Sequence, residues 1–196
     1  MKKIFTVSLC VLLIQLSFGQ NIGLRVNTEF SDNRKINNSL GVGGYLNINN
    51  FSKKVELIFS LDFNRNSKKF LDEEFKSTYT RFYFSAGGMY VFSLTEKTKI
   101  KIGPSFSYNV INATDGGLIS NWINPYKTKS IGTELMTNIH FQEIFKLPIN
   151  FDIFITPTYL INIKNENNLS SMETGSDYSE NLKILNIQMG LSYKIK

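Results

Sequence analysis

The 196-residue chain predicts an all-β fold: an eight-stranded antiparallel up-and-down transmembrane β-barrel, preceded by a cleavable signal peptide. Three observations predict it. Eight stretches alternate apolar and polar residues at period two, which gives each strand one apolar and one polar face. The connections between them alternate between long polar loops and short turns, as in barrels of the outer membrane. Aromatic residues make up 13% of the chain, with 16 Phe and 9 Tyr, and aromatics favour strands.

The N-terminus sets the compartment. Lys2 and Lys3 precede an apolar run from Ile4 to Leu16, and Ser17-Phe18-Gly19 follows. This is the pattern of a secretory leader, with cleavage expected before Gln20. The expected division is therefore a signal peptide over 1–19 and a barrel domain over 20–196. The apolar run is shorter than the roughly 20 residues a spanning helix needs. The one cysteine, Cys10, lies inside the leader, and Ser8-Leu9 before it is a poor match to a lipoprotein site. The mature chain is expected to hold no disulfide, so the sheet itself must stabilise it. The formal charge is +6, but its lysines and arginines are dispersed among acids, which argues against nucleic acid as a partner.

The first strand is expected over Gln20 to Phe30, where Ile22, Leu24, Val26 and Thr28 oppose Gly23, Arg25, Asn27 and Glu29. After a polar loop, Leu40 to Asn49 alternates again, with Gly41, Gly43, Tyr45 and Asn47 on the polar face. A turn at Asn50 to Lys54 leads to the clearest strand, in which Val55, Leu57, Phe59, Leu61 and Phe63 oppose Glu56, Ile58, Ser60 and Asp62. Asn64 to Ser77 reads as a long charged loop. Thr78 to Phe92 then places Phe82, Phe84, Ala86 and Tyr90 against Arg81, Tyr83, Ser85 and Gly87.

A tight turn precedes Thr98 to Ile111, with Ile100, Ile102, Phe106, Tyr108 and Val110 on the apolar face. Asn112 to Lys129 reads as the next long loop. Ser130 to Phe141 and Ile149 to Ile163 follow as strands, joined by a turn ending at Pro148. After a polar loop, Lys164 to Glu180, the last stretch has Leu185, Ile187, Met189, Leu191, Tyr193 and Ile195 on one face at strict period two. Pro104 and Pro157 fall inside strands; a proline cannot donate to the ladder, so bulges are expected there.

Alternation alone does not say which face looks outward, so volume must decide. An eight-stranded barrel has an interior just wide enough for side chains to fill, and the chain's large aliphatic and aromatic residues would overfill it. Apolar-out is therefore the expectation. The alternative is a soluble periplasmic barrel of lipocalin type, or a sandwich sharing the apolar mass between two sheets.

The polar face then supplies the candidate functional residues, an interior network of ion pairs. Arg25, Glu29, Asp62, Arg81 and Glu134 are expected in the middle or outer half, and Glu56, Lys99, Lys101, His140, Asp152 and Lys194 in the periplasmic half. Charges of both signs in a narrow lumen should pair, because an unpaired buried charge is costly. Asp62 and Arg81 flank one loop on neighbouring strands and are expected to meet. Tyr45, Ile58, Tyr83, Phe154 and Leu160 face inward by period and should block the lumen, against an inward run of Gly41, Gly43, Gly87 and Gly103 that favours water.

No catalytic, metal or cofactor site is expected. His140 is the single histidine, placed inward near the periplasmic end, far from where a lipid-cleaving triad needs it. One histidine, no mature cysteine and no calcium-loop spacing argue against a metal.

The terminal Gln188, Gly190, Tyr193 and Ile195 resemble the signal that delivers outer-membrane barrels to their assembly machinery, although Lys196 extends past the usual apolar end. With the leader ending SFGQ and the steps Gly103-Pro104 and Thr156-Pro157, each with an aromatic two residues later, the chain resembles the small outer-membrane β-barrel proteins of Bacteroidetes-type bacteria. That resemblance implies a non-enzymatic, porin-like barrel in the outer membrane of the bacterial cell, in contact with outer-membrane lipid. Some members are linked to secretion machinery. A structural or binding role through the outer loops is the leading expectation, with a narrow channel for ions or small solutes second and a lipid-modifying enzyme third.

Overall fold

A computed structural model describes residues 20–31, 39–52, 54–70, 75–117, 123–144, 147–167 and 182–195; the expected leader and its cleavage site lie outside them. The strands are β1 (Gln20–Ser31), β2 (Ser39–Ser52), β3 (Val55–Phe70), β4 (Phe75–Ser93), β5 (Thr98–Gly117), β6 (Ile123–Phe141), β7 (Ile149–Asn167) and β8 (Leu182–Ile195). They close in sequence order into one antiparallel barrel, with β8 pairing back onto β1. Closure gives every strand two neighbours and leaves no unpaired edge.

The register fixes the tilt. Stepping across paired residues from Asn21 through Asn47, Ile58, Gly87, Ser105, Glu134, Thr158 and Ile184 returns to β1 at Ser31, a stagger of 31−21, or ten residues. With eight strands about 4.8 Å apart and a rise of about 3.3 Å per residue, that stagger tilts them by about 40°.

Period two decides the faces as expected. Leu24 is 76% exposed and Phe106 63%, and most other large apolar side chains at alternate positions are exposed or half-exposed on the outer wall, Ile48 being the buried exception. The interior is polar and buried, and the apolar-in alternatives are thereby set aside. Two apolar clusters interrupt it. Tyr45, Ile58, Met89, Met136 and Phe154 form one. Tyr79, Ile111, Ala113, Leu160, Leu182 and Ile184 form the other, toward the end opposite the chain termini.

Two expectations need correction. Asn64 to Ser77 and Asn112 to Lys129 are largely strand: β3 and β4 pair as far as Phe70 with Phe75, and β5 and β6 as far as Gly116 with Ile123. Ladder hydrogen bonds hold these polar segments although they lack an apolar face to bury. The bulges expected at the prolines are also absent. The pairs missing from the ladder are Gly88 with Pro104 and Leu135 with Pro157, each with one adjacent pair, and the register is unchanged on either side. A proline removes one donor, and the neighbouring bonds hold the alignment across that gap. The register shift in this region lies instead between Lys129 and Ser130, opposite Lys164 and Asn162.

At the terminal end the turns are compact. Between β4 and β5, the N–H groups of Leu94 and Thr95 donate to the Thr98 carbonyl at 2.9 and 3.1 Å. The Thr95 hydroxyl accepts from the N–H groups of Lys97 and Thr98.

Candidate functional site: the ion-paired interior

The polar face of each strand projects its charges into the lumen, where the barrel tilt selects their partners. Arg25 lies opposite Gly43, which lies opposite Asp62. Its guanidinium passes over β2 and grips Asp62 as a fork, Nε to Oδ1 at 2.8 Å and Nη2 to Oδ2 at 2.6 Å. Glycine at 43 makes this possible: a Cβ there would stand 1.9 Å from Asp62 Oδ1. Ser60 and Asn27 donate to the same carboxylate at 2.9 and 3.3 Å. The guanidinium also stacks over Phe154, 4.9 Å from the ring centre, a favourable cation–π geometry.

Arg81 reaches in the other direction round the barrel. Its Nη1 pairs with Glu29 on β1, its Nε donates to Asn109 Oδ1 at 2.8 Å, and it lies 4.0 Å over the ring of Tyr83. The Ser39 hydroxyl donates to the other Glu29 oxygen at 2.6 Å. Asp62 and Arg81 therefore do not pair with each other, contrary to the sequence expectation. Asp62 lies opposite Tyr83, and Arg81 lies opposite Asn64, two residues further on. Each finds a β1 partner nearer its own level.

Nearer the terminal end, Lys101 Nζ pairs with Glu56 at 2.6 Å. Asp152 is a hub with four partners. It accepts from the Tyr45 hydroxyl at 2.6 Å, Ser192 Oγ at 2.9 Å and Asn138 Nδ2 at 3.0 Å, and meets His140 Nδ1 at 2.8 Å. Tyr45 makes its contact by lying across Gly23 on β1, where a Cβ would stand 2.4 Å from the tyrosine Cζ. Sequence reading placed Tyr45 inward as a blocker and did not foresee this clasp between β2 and β7.

Glu134 is buried and accepts from Ser105 Oγ at 2.7 Å, and the Arg81 guanidinium lies near enough to act on its charge. Lys99 and Lys194 are corrections to the expected network. Both continue the inward register, but Lys99 is half-exposed and Lys194 exposed at the terminal rim. They lie next to the ends of β5 and β8, where water solvates them. Among the described residues no group of three or more His, Cys, Asp or Glu is placed to hold a metal ion.

The bulky inward residues Tyr45, Ile58, Tyr83, Phe154 and Leu160 are all buried. Chemically the arrangement is a cross-linked plug. Its acids are held by fixed donors, and its one histidine is bound to a carboxylate that the Ser192 and Tyr45 hydroxyls also hold.

Solved structures share this architecture. Neisserial surface protein A superposes with a TM-score of 0.58 at 13% identity, covering 89% of this chain and 96% of its own. A major outer membrane protein from Thermus thermophilus gives 0.58 at 8% identity, covering 89% and 98%. Ail, the attachment invasion locus protein of Yersinia pestis, gives 0.53 at 15%, covering 90% and 96%. At these identities the likeness is one of fold: the chain has the closed eight-stranded fold seen in small outer-membrane barrels. No family model and no curated protein matches the sequence.

Proposed function

We propose that the chain is an integral, non-enzymatic protein of a bacterial outer membrane, with its termini in the periplasm and its lumen closed. On this reading it serves a structural, binding or secretion-associated role through the strand ends that project on the far side. One observation carries it: a continuous apolar wall outside, and a buried ion-paired interior within. Along β5, Ile100, Ile102, Pro104, Phe106, Tyr108 and Val110 face outward. At about 40° of tilt they span about 25 Å along the axis, the height of the apolar band in such barrels.

The assembly machinery is the partner proposed during biogenesis, reading Gln188, Gly190, Tyr193 and Ile195. That closing pattern, with the two proline–aromatic steps, supports the Bacteroidetes-type family. The long polar strands beyond the apolar band favour a surface-presenting role over transport.

Fractionation and bilayer recording test this. The chain should partition with the outer membrane and run faster on gels unheated than boiled. In planar bilayers the purified barrel should show no stable unit conductance. Solubility without detergent would overturn the membrane reading. Reproducible open-channel steps, lost on replacing Arg25 or Arg81, would promote the narrow channel.

A further inference from the structure

Charge sign is segregated by face. Among residues whose side chains are described, every acid in the strands (Glu29, Glu56, Asp62, Glu134 and Asp152) is buried in the interior. The charged residues that alternation turns outward are all basic: Arg65, Lys127, Lys129 and Lys183. All four stand at the end of the apolar wall away from the termini. A wall in lipid with cations along one margin attracts anionic headgroups.

One of these cations heads a groove. Leu135, Pro157, Leu185 and Phe30 border an open trough of 910 Å³ on the outer wall, with Tyr159 and Lys183 at its upper end. The register explains the shape. Pro157 lies opposite Leu185, and Leu185 lies opposite Phe30, so a short proline ring sits between longer neighbours. Tyr159 and Lys183 are paired on the same face, next in line toward the far end. The trough is mainly apolar and basic at its outer end; Thr133 also lines it, and Glu134 borders it from the interior with its carboxylate turned inward to Ser105.

We propose that this groove binds one lipid bearing a terminal phosphate, its acyl chain along Leu135, Pro157 and Leu185 and its phosphate on the Lys183 ammonium. The proposal rests on the reading that the apolar wall lies in lipid. It goes further by assigning a headgroup chemistry and a position. Tyr159 offers its hydroxyl at the level where the acyl chain meets the headgroup, the place an aromatic with a polar tip favours.

The test uses the folded barrel in mixed micelles, with retained lipid counted by native mass spectrometry. Phosphatidic acid and phosphatidylcholine with identical acyl chains are offered together. The wild type should retain phosphatidic acid in preference by about fivefold, the effect of one cation at a lipid surface. Lys183→Gln should abolish most of that preference. Arg65→Gln, on the opposite wall, should leave it in place. Thr133→Trp, which narrows the groove from the lipid side, should lower retention of phosphatidic acid, and inorganic phosphate should not displace it. Equal retention of the two lipids would overturn the proposal, as would equal losses in Lys183→Gln and Arg65→Gln. Displacement by inorganic phosphate would overturn the acyl-chain assignment. Failure of the membrane reading is separately visible, because that protein would stay monomeric without detergent.

Discussion

Asp62 shows how one residue's worth depends on its neighbours. Its carboxylate receives a two-pronged grip from Arg25 with both side chains essentially buried. Removing one member of such a pair strands the other in a dry site and costs about 3–5 kcal/mol, whereas replacing both with apolar groups of similar size is close to neutral. Asp62→Ala should therefore lower the unfolding free energy by about that amount in urea titrations of vesicle-embedded protein. The double variant Arg25→Met with Asp62→Leu should recover most of it. If the double variant is as unstable as the single one, the pair is not the source of the loss. Gly43→Ala should also destabilise, since its methyl group would enter the space of Asp62 Oδ1. The inward glycines, which as a sequence favour a watery lumen, act here as sockets for neighbouring side chains.

At the scale of the strand, the two prolines give the clearest consequence. Pro104 and Pro157 each remove one donor from a ladder that otherwise stays in register. The carbonyls of Gly88 and Leu135, which would have accepted, lie within the apolar zone, where an unmet acceptor is costly. Pro157→Val supplies an N–H at the same position and keeps an apolar side chain on the outer wall. It should raise the unfolding free energy by about 0.5–1.5 kcal/mol, the net worth of one hydrogen bond. An unchanged or lower stability would show that the backbone has already relaxed away from the missing bond. Hydrogen exchange offers a second check: the amides that face the gaps, those of Gly88 and Leu135, should exchange faster than their strand neighbours.

For the whole molecule, the seam between first and last strands is the step that makes a barrel from a sheet. Its ladder runs unbroken from Gln20 with Ile195 to Ser31 with Ile184. Tyr45 reinforces it from inside, reaching from β2 over β1 and β8 to Asp152 on β7. Tyr45→Phe keeps the ring and removes the hydroxyl. It should cost about 1.5–3 kcal/mol, the range for a hydrogen bond to a charged group, without changing the fully folded band on unheated gels. Gly190→Val should be more severe. A Cβ there would stand 2.9 Å from the Leu24 carbonyl and 3.0 Å from the Tyr45 ring. Slower appearance of the heat-modifiable band during refolding is the expected result, and wild-type kinetics would count against a role for the seam in closure.

Alternation and turn residues alone show that there are eight strands, which way each face looks and in what order they pair, because period two and turn chemistry are legible in a short window of the chain. The same alternation turned Arg25, Glu29, Glu56, Asp62, Arg81, Lys101, Glu134, His140 and Asp152 inward, since the apolar face had nowhere to go but outward. It did not determine which charges meet. Asp62 prefers Arg25 to Arg81 because the ten-residue stagger sets the level of each strand, and that stagger exists only once β8 has joined β1. Nor did it show how far the polar hairpins continue, because ladder bonds beyond the apolar band leave no hydrophobic period to read. The groove at Lys183 is of the same kind: it draws on β1, β6, β7 and β8, which become neighbours in that order only when the barrel closes.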